Sequence, residues 1–371
     1  MYVVQRAGTH LLLVCLLLIG LGLVMIYSAS SELARVRYDD SSFFLKRQSA
    51  RVVLGLFVMF VVSRIPLDWF ARFSRAIMLW AIFLLILVLF VGAGPADRWL
   101  YLPKSLASFA FQPSEFAKLA LVIYLADVLV RKEEDLREFK RGLLPRLVVV
   151  GLVLTLIAAQ PDLGTAIAIG CIALVLLWVG GVEPGQLGAV LLVGTIGIVV
   201  SLLTSPYQLA RLTNFVDGSG EDAGNYQITQ SLIGMGNGQV FGVGLGNSMQ
   251  KLQYLPEPHT DFVFAFVGEE MGLVGTTSVV GLFIAFAVLG LKIAQSSVSS
   301  NGFLLATGMT SMISIYAMLN MGVVTGLLPT TGLPLPFLSY GGSSLILNMA
   351  GVGILLGVAR HAAAHSNYRA R

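Results

Sequence analysis

Few ionisable side chains interrupt this apolar chain, and several of them stand at the ends of apolar runs. Gln253 to Gly272 carries a proline-stiffened turn, Pro256-Glu257-Pro258, then His259, Thr260 and Asp261, and enters an apolar segment that soon meets Glu269 and Glu270. Carboxylates at the mouth of a membrane helix are costly unless they face protein, water or a ligand, and catalysis is the reason the pattern suggests. Glu115 and Lys118 are three apart and share one helical face. Their types alone favour a structural ion pair, whereas on the wall of a wet cavity the same pair holds a nearby acid or a phosphate. Asp162 follows the helix breaker Pro161, where it suits capping the next helix or joining Glu115 and Lys118 in one polar cluster. Arg98 stands beside Trp99 and is placed to reach an anionic or sugar ligand, while Trp99 by default belongs to an interfacial aromatic belt.

These residues need helices in a membrane to position them. Of 371 residues 56% are hydrophobic and 12% charged, about half the charged share of a soluble protein. Apolar runs recur at 10–28, 50–64, 74–92, 114–130, 143–159, 163–180, 186–204, 262–291, 303–327 and 341–359, which predicts an all-α integral membrane protein of about ten spans in one polytopic domain, 1–371. The first run reads as a retained helix because further spans follow it. Arg64, Arg72, Arg75, the 131–146 cluster, Lys292, Arg360, Arg369 and Arg371 outnumber the basic residues of the other side, so both termini are expected in the cytoplasm. The same bias explains the net charge of +4. No basic and aromatic interleaving points to nucleic acid. Cys15 and Cys171 lie inside spans and read as small hydrophobes, without a disulfide framework.

Between runs seven and eight lies a long outer loop, about 205–260, containing Arg211, Lys251 and the six-glycine stretch from Gly234 to Ser248. Its glycines permit close backbone approach to a ligand, or simply a flexible loop. Lys46-Arg47-Gln48 either meets lipid phosphates or snorkels. Asp127 and Arg131, four apart, read as an interfacial pair, and the charged stretch from Arg131 to Arg146 as a solvated face. From Gly326 to Ser344, prolines and glycines amid apolar residues predict a broken or re-entrant segment before the last helix, tolerated at membrane depth only inside protein or against a cavity. Histidines are too few and too scattered for a histidine-built zinc site.

Several stretches together resemble the SEDS family (shape, elongation, division and sporulation) of bacterial peptidoglycan glycosyltransferases. They are FLKRQ at 44–48, Arg98-Trp99, QPSEFAKL at 112–119, QPDLGT at 160–165, ARL at 210–212, the run from Gly242 to Phe262, GEEMG at 268–272 and PTTGLPLPFLSYGGSS at 329–344. GLGNSMQK and PTTGLPLPF look more like the division branch than the elongation branch. One departure is that Gly218-Ser219-Gly220 follows Asp217 where division members commonly have Pro and Trp.

The resemblance implies a multi-pass protein of the bacterial cytoplasmic (inner) membrane with an extracytoplasmic active site that polymerises lipid II into glycan strands. By residue match, Asp261 is the essential acid, Glu115, Lys118 and Asp162 support it, and Arg98 and Trp99 belong to an active outer loop. Lys118, Arg98, Arg211 and Lys251 are expected to face the pyrophosphate of the undecaprenyl-linked glycan. Asp261 either acts as general base or binds a divalent cation, Mg or Mn. The implied partners are a class B penicillin-binding protein, the transpeptidase, and division regulators. The competing class is a lipid flippase or other transporter, disfavoured because the charges gather on the outer side without a matching inner set or a repeated half.

Overall fold

A computed structural model of the chain describes residues 2–92, 98–101, 110–131, 138–217, 223–250 and 260–369. Among the described residues twelve α-helices carry the fold. They are α1 Tyr2–Tyr38, α2 Phe43–Arg64, α3 Leu67–Val91, α4 Pro113–Arg131, α5 Leu144–Ala158, α6 Leu163–Val179, α7 Pro184–Thr204, α8 Pro206–Asp217, α9 Ala223–Gly238, α10 Val263–Gln295, α11 Ser300–Val324 and α12 Gly342–Arg369. A π-helical turn, Phe139–Leu143, leads into α5, and a two-residue hairpin pairs Leu100–Tyr101 (β1) with Ala110–Phe111 (β2).

Each of the ten predicted runs falls largely on a helix, but among the described residues seven helical segments suffice, by length and composition, to cross a membrane. Among the others, α6 is apolar but short, and α2 and α4 are interrupted by charges. For α4 the reason is burial. Fifteen of its 19 residues are buried, so its charges Glu115, Lys118 and Asp127 face protein instead of lipid. Around it pack α3, α6, α11 and α12, which makes α4 the axis of the bundle, while α7 has no buried residue and lies at the edge.

At both ends of the bundle the outcome differs from the sequence reading. The first helix runs on to Tyr38, because nothing before Asp39-Asp40-Ser41-Ser42 breaks it and Glu32 pairs with Arg35 one turn away at 2.9 Å. Lys46 is taken by Asp40 at 2.8 Å, and this hydrogen bond holds the Asp40 carboxyl below its usual value. Gln48 is buried and donates to the Ser339 carbonyl at 3.3 Å, which ties α2 to the segment before α12. On the opposite end, Asp127 is buried, accepting from Ser74 Oγ of α3 at 2.6 Å and from Arg131 at 2.6 Å. Arg146, expected in solvent, is buried too and donates to the carbonyls of Gly142 at 2.8 Å and Val128 at 3.1 Å. A second set of charges therefore exists at this end, engaged in joining α3, α4 and α5.

Among the described residues of the stretch 205–260, α8 and α9 are helical, and the glycines that follow have a structural use. At Gly272 (φ 64°, ψ −159°) α10 breaks, which frees main-chain groups on both sides. The stretch after α9 replaces them. Val243 and Gly244 donate to the carbonyls of Glu269 and Glu270 at 3.0 and 3.1 Å, and Leu273 and Val274 donate to those of Gln239 and Val240 at 2.9 and 3.1 Å. Gly242 sits at φ +80°, where a Cβ would collide with the Glu270 carbonyl oxygen. Gly242→Ala is therefore expected to cost about 2–4 kcal/mol from the collision and the left-handed backbone together. A thermal melt in detergent checks this, and an unchanged midpoint would show that the plug is not needed.

The segment between α11 and α12 is non-helical, as its prolines and glycines predict, with Leu333, Leu335, Phe337, Leu338 and Ser339 all buried. Its Phe337 and Leu338 main chain lies against Gly22, halfway along α1. Non-helical backbone is thus carried into the middle of the helix bundle, enclosed by protein.

Candidate functional site

The site is assembled from helix ends. The approach to α4 is fixed to α12, since Ser343 Oγ accepts from the Gln112 amide at 3.2 Å and donates to the Ala110 carbonyl at 2.9 Å. One turn into α4, Lys118 Nζ lies 2.7 Å from Glu115 Oε2, with side-chain exposures of 0% and 2%. The Lys118 ammonium also stands 3.8 Å from the ring centroid of Tyr316, a fully buried residue of α11. A pair this dry depends on close mutual contact to offset its desolvation, and the aromatic face adds to that.

Asp162 occupies the cap position of α6. Its Oδ1 accepts from the Thr165 amide at 3.2 Å, as its sequence context predicts, and its Oδ2 lies 3.4 Å from Arg98. The Arg98 guanidinium also donates to the carbonyls of Gln160 at 2.8 Å and Pro161 at 2.5 Å, clamping the whole turn between α5 and α6. Glu115 is within electrostatic range of Asp162, and Tyr316 of both. The four charges expected to cooperate, Glu115, Lys118, Asp162 and Arg98, thus form one partly enclosed cluster. Trp99, next to Arg98, is half-buried.

Asp261 is reached from the other side. It stands two residues before α10 and is half-buried. Gly332 flanks its carboxylate, since a Cβ there would lie 3.6 Å from Asp261 Oδ2. With φ +71°, Gly332 adopts a conformation that favours glycine. The preceding residue, Thr331, packs against Gly164 in the first turn of α6, so closely that a Cβ on Gly164 would be 2.8 Å from the Thr331 carbonyl oxygen. Only Thr331 and Gly332 therefore separate the α6 terminus capped by Asp162 from the Asp261 carboxylate.

Helix α11 provides the second connection. Asn320, one turn beyond Tyr316 and 2% exposed, donates through Nδ2 to the main-chain carbonyls of Asp261 and Leu333, both at 2.7 Å. Neither Tyr316 nor Asn320 was singled out from sequence, although two polar side chains four apart in an apolar helix are a usable signal. Among the described residues, Ser114 Oγ, Asn320 Oδ1 and Thr331 Oγ1 are buried without a hydrogen-bond partner. Each such group costs about 1–3 kcal/mol unless something polar reaches it.

The remaining candidates stand apart or fall outside the described residues. Arg211 is on α8, which packs on α7 and α9. Lys251 and His259 lie outside the described residues, as does the turn Pro256-Glu257-Pro258. Glu269 and Glu270 are buried in the α10 kink. Glu269 accepts from Ser248 Oγ and from the Met249 amide at 3.0 Å, and Glu270 from Ser28 Oγ of α1 at 2.5 Å. These two carboxylates tie the loop and α1 to the helix break. Among the described residues no three His, Cys, Asp or Glu side chains converge as a metal site would require.

The fold and site together define a multi-helix membrane protein in which a buried charge cluster lies near the half-buried Asp261. A family model described as Cell cycle protein, covering FtsW, RodA and SpoVE, matches residues 9–364. The chain is 41% identical over 352 residues to stage V sporulation protein E of Bacillus subtilis (strain 168), spanning 95% of this chain and 96% of that one. It is 44% identical over 367 residues to the probable peptidoglycan glycosyltransferase FtsW of Thioalkalivibrio sulfidiphilus (strain HL-EbGR7), spanning 96% and 90%. Among solved structures, a chain of a peptidoglycan synthase complex that coordinates polymerization and crosslinking superposes with a TM-score of 0.78 at 27% identity, over 95% of this chain and 97% of that one. The rod shape determining protein RodA of Thermus thermophilus gives 0.68 at 27% identity, over 95% and 96%. The chain belongs to the FtsW/RodA/SpoVE family.

Proposed function

We propose that this peptidoglycan glycosyltransferase polymerises lipid II into glycan strands at the outer face of the bacterial cytoplasmic membrane, in septal wall synthesis at cell division. The observation that carries the reading is the junction at Thr331-Gly332, which sets the Asp261 carboxylate beside the end of α6 that Asp162 and Arg98 hold. The donor is a growing strand on undecaprenyl pyrophosphate and the acceptor is the GlcNAc 4-hydroxyl of an incoming lipid II. Asp261 accepts the proton of that hydroxyl as its oxygen bonds to the donor's anomeric carbon and the bond to pyrophosphate breaks. Because the leaving group is already activated, the chain has mainly to position two lipid-anchored substrates and stabilise departing negative charge. Lys118 and Arg98 supply positive potential there, with Glu115 and Asp162 fixing their geometry, and Arg211 and Lys251 are further cations expected to face the phosphates.

The alternative role for Asp261 is to hold a divalent cation, Mg or Mn. One carboxylate suits a hard cation only if pyrophosphate oxygens complete its shell, and such a cation would neutralise the leaving group. All ten apolar runs cross the membrane in this reading, with both termini cytoplasmic, as the bias of Lys and Arg supports. A class B penicillin-binding protein is the partner that crosslinks the product, alongside division regulators. Support comes from the likeness to a chain of a complex that coordinates polymerization and crosslinking.

The test is reconstitution of the full chain with its transpeptidase and lipid II in vesicles. Glycan strands on a gel are the expected result. Translocation of lipid II without strands would replace the polymerase by a flippase.

A further inference from the structure

We infer that Asn320 is a positioning residue for the transfer, bolting the Asp261 main chain to the Leu333 main chain so that the carboxylate is held at a fixed place beside Gly332. The inference rests on the polymerase reading of Asp261. It starts from how Asp261 and Leu333 are joined. Asp261 stands two residues before α10, and its neighbour Gly332 lies in a non-helical segment. Leu333 is buried and Asp261 half-buried, and a main-chain carbonyl shielded from water needs a donor.

Asn320 meets both needs with one atom. Its Nδ2 donates to Asp261 O and Leu333 O, each at 2.7 Å, from a rigid buried helix. Two acceptors at one uncharged side-chain nitrogen call for an amide NH2. Asp has no donor when ionised, Ser has one, and Gln places the same group a methylene further out. The two bonds stabilise the junction as well, since an apolar side chain here would leave both carbonyls without this donor. The same bonds join the proposed base to the segment lining it and so fix where the Asp261 carboxylate stands. Tyr316, one turn earlier on the same helix, contacts Lys118, so α11 fixes both ends of the site on a single face.

The experiment measures steady-state lipid II polymerisation by the full chain with its transpeptidase partner, comparing native protein, Asn320→Leu, Asn320→Asp and Asp261→Asn, each with a thermal melt. Loss of the bolt is expected to lower kcat between about tenfold and 10²-fold, the range for an approximately 1 Å misplacement. KM for lipid II should stay within about twofold, because ground-state binding is made elsewhere. A normal kcat in either folded Asn320 variant overturns the inference, and so does a raised KM at unchanged kcat, which makes Asn320 a uniform substrate contact. If neither variant is recovered folded, Asn320 is a stability element and the inference also falls. The polymerase reading fails separately, through a native pair that makes no strands or an Asp261→Asn protein that does.

Discussion

Asp261→Asn is expected to lower lipid II polymerisation by about 10²–10⁴-fold, the usual worth of a positioned general base, while leaving the protein folded. The substitution is nearly isosteric and acts on the side chain alone. The bond from Asn320 goes to the Asp261 main-chain oxygen and survives it, as does the fit against Gly332. Asn can accept a hydrogen bond from the acceptor hydroxyl but cannot remove its proton at neutral pH. Lipid II binding, followed with a labelled substrate, should persist while strand formation on a gel disappears. Full polymerisation by a folded Asp261→Asn protein would remove this carboxylate from both roles considered for it, base and cation ligand.

The second large effect is at Lys118. Lys118→Met strips the cation from a pair whose side chains are 0% and 2% exposed and leaves Glu115 buried without its partner. Breaking a buried pair from one side costs about 3–5 kcal/mol. The thermal midpoint should fall sharply and polymerisation with it. The double variant Glu115→Gln with Lys118→Met separates the two roles that the sequence left open. Replacing a whole buried pair is often neutral, so most of the lost stability should return. Polymerisation should stay down by about 10²-fold or more, the scale for losing one fixed electrostatic contact to a transition state. Recovery of activity together with stability would make the pair purely structural.

The helical framework was readable because it rests on local signals. Asp162 after Pro161, the short turn between α5 and α6, and the prolines and glycines from Gly326 to Ser344 each act within a few residues. What was not readable depends on partners far away in sequence. The glycines from Gly238 to Gly246 suggested a loop or a phosphate cradle, yet Gly242 serves the break in α10 at Gly272. Arg146 counted as a solvated charge because it closes the densely charged stretch that begins at Arg131, but it reaches the carbonyls of Gly142 and Val128 inside the bundle. Arg98 was expected to meet a ligand, and its nearest partners are the turn and Asp162. Asn320 looked like one polar residue in an apolar helix, and only the return of the chain at Leu333 shows what it joins.

The claim on which the rest depends is that Asp261 and its charge cluster polymerise lipid II at the outer surface. It is tested by reconstituting the chain and its transpeptidase in one orientation and supplying labelled lipid II to a single leaflet. Strands formed only from the leaflet on the side of Asp261, and absent with Asp261→Asn, are the predicted result. Strands formed from lipid II confined to the leaflet on the side of the termini would contradict it.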